Sequence, residues 1–421
     1  MRELRRANDE WFGWLPCAIV LAAAASVCVR DVGAASGKRP AVLRAFEARL
    51  PAIWRQVPLV TKAAAAAADR LIAHPRALLN VPYAEQPTFA EEILNRAGGL
   101  ALPLPPCERP REVTEHDILL FSVRSWERDG ARAGALLSES RNKGWLSVLF
   151  ASKAGMPKEI EVDFVIDNGA SSGAAAEAPL NSIVNILNAW LWQCEYVAAL
   201  SRRGKCPGVL MSVLLPEAQR HNSALQTREG RHWMSDCATS IEPGKLARLY
   251  LQRVDRLRSD LGGDPIQAQV KQAARVIRRR LAAGGKVCVA SCSHFLMGEV
   301  FLDNKSAWQP LHVVWSAKTA FATNLEKGDL LVWFGYVGMS TPFEDYGGAI
   351  RRTGAEFVTS FVPDPNPANN APDALCHIAQ SWEIGDAEVP IPFPPGRMAP
   401  VSGVNQGLLY RILDEEVASA R

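Results

Sequence analysis

Residues 286–301 read KVCVASCSHFLMGEVF: an apolar run, a turn of small hydroxyl-bearing residues, then an apolar helix-like segment. Val287 to Ser291 is short and apolar throughout, as in a strand covered on both faces. In open parallel sheets, ligands bind beyond the carboxyl ends of the strands, where loops and helix starts converge. Free N–H groups and the helix dipole there favour an anion. Ser291, Cys292, Ser293 and His294 occupy that place, and the strand 329–334 runs into a second such turn containing Ser340 and Thr341. Each hydroxyl can also serve simply as a helix cap.

Outward from this stretch the pattern occurs twice. Apolar strands are expected at 77–82, 117–121, 145–150 and 162–167, then again at 286–291, 311–315, 329–334 and 355–361. Helical periodicity marks 41–73, the stretch FAEEILNRAGG ending at Gly98-Gly99, 181–200, 245–261, 266–283, 343–352 and 405–418. Asp117-Ile-Leu-Leu-Phe answers Asp329-Leu-Leu-Val-Trp-Phe, and one helix later Lys143-Gly144 answers Thr353-Gly354. The repeat unit is roughly 170–190 residues, far longer than a solenoid repeat. Strands alternating with helices predict an α/β protein with parallel sheets, in two tandem three-layer αβα (Rossmann-like) domains. The expected division is 1–40, 41–235 and 236–421, with the polar, irregular stretch 217–243 as the boundary region.

At 421 residues, 48% hydrophobic and 22% charged, the chain is globular and long enough for two domains. Its net charge of +3, without a run of like charges, gives no support for nucleic-acid binding, and Arg275 to Arg280 read as a solvated helix face. The nine cysteines form no CxxC pair, and most read as small buried hydrophobes. At the N-terminus Arg2, Arg5 and Arg6 precede an apolar run from Trp11 to Val29 and then small residues at Gly33, Ala34 and Ala35. That order favours an export signal or membrane anchor over a cytoplasmic start, although Glu3, Asp9, Glu10 and Pro16 interrupt it.

His294 and Glu299 lie five residues apart at one helix start, and an imidazole with a carboxylate can shuttle a proton. The competing reading pairs Glu299 with a basic residue and leaves His294 as a cap. No metal-ligand set can be assembled from the spacings, and no cofactor is expected.

Ser293-His294-Phe295-Leu296 and Glu299-Val300-Phe301 resemble the first motif of SIS (sugar isomerase) phosphosugar-binding proteins. Ala90-Glu91-Glu92-Ile93 with Arg96-Ala97-Gly98-Gly99-Leu100 resembles it in the first unit, where Pro87 stands in the place of His294. Asp163 to Ala170, Pro207 to Ser212 with His221-Asn222, Gly385-Asp386-Ala387 and Pro400 to Gly403 are similar to the family's closing stretches. The resemblance covers residues 45–420 and implies two paired SIS domains holding a phosphorylated sugar or similar anionic carbohydrate. It implies Glu299 as base, with Glu92 second, and His294 or His221 as proton shuttle. Ser291, Ser293, Ser340, Thr341, Thr88, Ser122, Ser125 and Asn222 would be ligand contacts. An aldose–ketose sugar-phosphate isomerase is one activity implied; a non-catalytic sensor or structural partner is the other, because neither copy keeps the glycine-rich strand-end turn. The partners implied are a pseudo-dimer of the two domains, a homodimer, and a membrane where the N-terminal segment anchors.

Overall fold

The computed structural model describes residues 39–82, 86–94, 96–101, 114–226, 233–291, 294–302, 309–310, 325–339 and 346–419. The N-terminal export or anchor segment, the expected strand 311–315, Ser293, Ser340 and Thr341 lie outside the described residues, as does the side chain of His294.

The first half runs α1 (Ala41–Arg55), α2 (Val57–Ala73), β1 (Leu79–Asn80), α3 (Pro87–Ile93), β2 (Ile118–Ser122), α4 (Trp126–Asn142), β3 (Leu146–Ala151), β4 (Phe164–Asp167), α5 (Ala178–Arg202). A link follows of β5 (Lys205–Pro207), α6 (Ala218–Gln226) and β6 (Trp233–Asp236). The second half runs α7 (Lys245–Leu261), α8 (Asp264–Ala282), β7 (Val287–Ser291), α9 (His294–Leu302), β8 (Gln309–Pro310), β9 (Leu330–Val337), α10 (Tyr346–Thr353), β10 (Glu356–Val362), β11 (Cys376–Ala379), β12 (Ala387–Pro390), β13 (Arg397–Pro400) and α11 (Ser402–Ala418).

Two parallel sheets result, ordered β1-β2-β3-β4 and β11-β10-β9-β7-β8. Leaving β8 aside, β7, β9, β10 and β11 repeat the order of β1 to β4. The register repeats too, with Ile118 opposite Leu146 and Leu330 opposite Glu356. The Ile118 N–H donates to the Leu78 carbonyl at 2.8 Å, as the Leu330 N–H does to Lys286 at 3.0 Å. Gly144 (φ 72°) and Gly354 (φ 73°) take the same left-handed turn ahead of β3 and β10, a conformation glycine reaches without a Cβ clash. The match of Asp117 with Asp329 is therefore one of three-dimensional position.

β2 and β3 are buried at every residue, which is why they read as continuous apolar runs. α5 is buried on all sides along nearly its whole length, its buried polar side chains such as Asn185 and Glu195 being hydrogen-bonded. One hydrophobic core spans both halves, joining Phe46, Leu187 and Trp190 to Phe295, Val404 and Leu408. Among the described residues no helix is long and apolar enough to cross a membrane.

Four local readings change. The expected single helix 41–73 is two, broken at Gln56, whose amide both donates to the Asp167 carbonyl (2.7 Å) and accepts from its N–H (2.9 Å). Fastening to the end of β4 fixes Gln56 outside both helices. α3 stops at Ile93, short of Gly98-Gly99. The boundary region is not irregular throughout, since α6 forms there and β6 pairs antiparallel with β5. β11 and the β12–β13 hairpin complete the second half beyond the expected strands.

Candidate functional site

α3 follows β1 and α9 follows β7, so the two helices are counterparts, and they pack against each other between the halves. Glu92 and Glu299 hold the same place in them. Each carboxylate reaches the N-terminal end of the opposite half's long helix: Glu92 lies against Gly403 of α11, and Glu299 against Ser182 of α5. Those long helices also correspond, Ser182, Asn185 and Trp190 matching Ser402, Asn405 and Tyr410 in spacing.

Glu92 is fully buried and fully engaged on one oxygen. Its Oε1 pairs with Arg96 and accepts the Trp190 Nε1–H at 3.0 Å. Arg96, 2% exposed, also reaches Asp386 (2.9 Å) and the Ser402 hydroxyl (2.5 Å). Asp386 accepts the N–H groups of Val401 (3.0 Å) and Ser402 (2.9 Å), fixing the start of α11. Burial pushes the Asp386 carboxyl above its usual range, against the opposing pull of Arg96 and Ser402. A Cβ on Gly403 would fall 2.3 Å from Glu92 Oε1, so a larger residue there would have to displace this carboxylate. The cluster ties α3 of one half to β12, β13 and α11 of the other.

Glu299 is held differently. Its Oε1 accepts the Ser182 hydroxyl at 2.6 Å, whereas Oε2 stands 3.5 Å from Arg124 and 3.9 Å from Arg411. Arg124 leaves the carboxyl end of β2, and its Nε is buried without a hydrogen-bond partner. A carboxylate, a hydroxyl and two guanidinium groups thus meet where the first half's rim faces α9. The carboxylate is a proton acceptor, and the guanidinium groups suit an oxyanion.

The β2–α4 turn itself is closed by the protein's own groups. The Ser122 N–H donates to Gln86 (2.6 Å), the Val123 N–H to the Phe150 carbonyl (3.0 Å) and the Ser125 N–H to Asp129 (3.2 Å). The Ser122 hydroxyl accepts from Asn185 (3.0 Å), and the Ser125 hydroxyl donates to the Gly173 carbonyl (2.9 Å). In the second half the Ser291 hydroxyl faces Gln406 at 3.4 Å, and Gln406 donates to the Gly335 carbonyl at 2.8 Å.

Glu92, Glu299 and Thr88 all lie on the packed pair α3 and α9, with Thr88 buried beside Gly298, but the two carboxylates have separate partners. His221 and Asn222 stand on α6 and brace the chain before it. The His221 ring bonds the Val209 carbonyl (2.7 Å), and Asn222 holds the N–H and carbonyl of Met211, both at 2.9 Å. Arg124, Arg411 and Ser182 were absent from the sequence-derived candidates. The shared spacing of Ser182, Asn185 and Trp190 with Ser402, Asn405 and Tyr410 was the signal that could have exposed Ser182.

No protein-family model matches the chain, and no curated protein matches it. Solved structures do resemble it. The C-terminal domain of glucosamine-fructose-6-phosphate aminotransferase from Francisella tularensis is 10% identical with a TM-score of 0.50, over 92% of this chain and 97% of that one. A structure from Silicibacter pomeroyi DSS-3, described as a candidate phosphosugar isomerase, is 12% identical with a TM-score of 0.45, over 91% of this chain and 98% of that one. The duplicated parallel sheets and the likeness across nearly the full length agree: this chain has the tandem SIS-type, Rossmann-like fold.

Proposed function

We propose that the chain binds a phosphorylated sugar between its halves, at the place where Glu299 meets Ser182, Arg124 and Arg411. The observation that carries this reading is the contrast between the two equivalent carboxylates. Glu92 is locked through Oε1 into a buried ion cluster, its Oε2 buried without a hydrogen-bond partner, whereas Oε2 of Glu299 faces two guanidinium groups at separations longer than an ordinary ion-pair hydrogen bond. A ligand anion can compete for those groups, and the freed carboxylate can accept a sugar hydroxyl. The fold neighbour named for glucosamine-fructose-6-phosphate supports the substrate class. Glu299 is also the base that an aldose–ketose isomerisation would use on the proton beside the carbonyl.

Thermal-shift measurements with a panel of sugar phosphates test the reading. A ligand at 100 times its dissociation constant should add about 2.7 kcal/mol of stability. Turnover that disappears in Glu299→Gln while binding persists would identify an isomerase, and binding without turnover in the wild type a sensor. No stabilisation by any member of the panel would remove the sugar-phosphate reading.

A further inference from the structure

We infer that Arg124 is the anchor for the ligand's anionic group, so that the site is completed by a residue of the first half acting beside the carboxylate of the second. This rests on the phosphosugar reading above and deepens it. Arg124 stands in the β2–α4 turn, at the sheet rim where a ligand of a parallel α/β sheet is expected. Three N–H groups of that turn, those of Ser122, Val123 and Ser125, are committed to Gln86, Phe150 and Asp129, so much of the positive potential left to the rim comes from the Arg124 side chain.

The guanidinium is positioned but under-used. Its side chain is 19% exposed, its Nε is buried with no hydrogen-bond partner, and its contact with Glu299 is 3.5 Å long. Its own backbone is held in place, the carbonyl accepting the Asn181 side-chain N–H at 2.8 Å. Asn181 also accepts from Arg49 at 2.7 Å, which ties the turn to α1. A planar guanidinium with a free Nε–H edge matches two oxygens of a phosphate or carboxylate. Taking up such a group satisfies the buried Nε and releases the Glu299 oxygen toward the sugar ring. The chemistry recognised is therefore an oxyanion on a carbohydrate, carried either as a phosphate ester or as a sugar acid.

Calorimetric titration of the full chain with fructose 6-phosphate, glucose 6-phosphate, glucuronate and uncharged fructose separates these sources. Wild type, Arg124→Lys and Arg124→Gln are compared, with the unfolding midpoint of each as the folding control. The expected result is binding of at least one charged probe, weakened 10-fold or more in Arg124→Gln and less in Arg124→Lys, with no gain or loss for fructose. Preference for the phosphate esters assigns Arg124 to phosphate, and preference for glucuronate to a carboxylate. Arg124→Gln binding a charged probe within twofold of wild type overturns this inference and leaves the phosphosugar reading standing. A wild type that binds glucuronate but neither phosphate ester overturns the phosphosugar reading and keeps Arg124 as an oxyanion anchor. A wild type that binds none of the charged probes overturns both.

Discussion

Replacing Arg96 with alanine is expected to lower the folding free energy by about 3–5 kcal/mol, the usual cost of leaving a buried charge without its partner. Two carboxylates lose their common cation: Glu92, fully buried, and Asp386, whose pKa burial already raises. Ser402 loses a donor as well, so the start of α11 loosens from the first half. The effect is not a sum of surface pairs, which contribute about 0–1 kcal/mol each. Urea unfolding of Arg96→Ala, of Glu92→Gln and of the double variant Glu92→Gln/Arg96→Ala measures it. The double variant should be less destabilised than the two single losses added together, since each removes a charge that the other leaves stranded. Equal stability of Arg96→Ala and wild type would show that the cluster does not hold the halves together.

Trp190→Ala is expected to cost about 3–5 kcal/mol, in the range of large-to-small core replacements of tryptophan. The indole is completely buried in α5, within the core common to both halves. Its ring borders Gly99 so closely that a Cβ there would lie 3.0 Å away. It also donates to Glu92, and the guanidinium of Arg96 lies 5.8 Å from its ring centre. Removing it opens a cavity and strips a donor from a buried carboxylate at once. The denaturation midpoint should fall with little change in the denaturant slope. Trp190→Phe keeps most of the volume and should recover more than half of the loss. A loss below about 1 kcal/mol in Trp190→Ala would mean that the core does not close around α5.

The sheets were legible because each inner strand is an apolar run bounded by polar turns, and because Asp117 and Asp329 stand just before strands with the same register. β11 escaped because Cys376-His377-Ile378-Ala379 mixes a thiol and an imidazole into four residues at a sheet edge. There His377 bonds Thr359 (3.0 Å), and burial lowers its pKa. The site was legible only in part. Glu92 and Glu299 stood out through the helix motif, but what distinguishes them is tertiary. Arg124 lies 175 residues from the carboxylate it faces, and no local pattern links the two. Arg96 was visible in its motif without any sign that it turns toward Asp386, 290 residues away. Helix-to-helix contacts between repeats depend on which faces meet, and periodicity within one helix does not state that.

A crystal structure of the chain soaked with fructose 6-phosphate puts the central claim to its most direct test. The expected density is a sugar lying between the end of β2 and the middle of α9, its charged group on Arg124 and a ring hydroxyl on Glu299. Density for the ligand elsewhere, or a saturated crystal with that space unchanged, would contradict the claim that two fused halves share one anion-binding site.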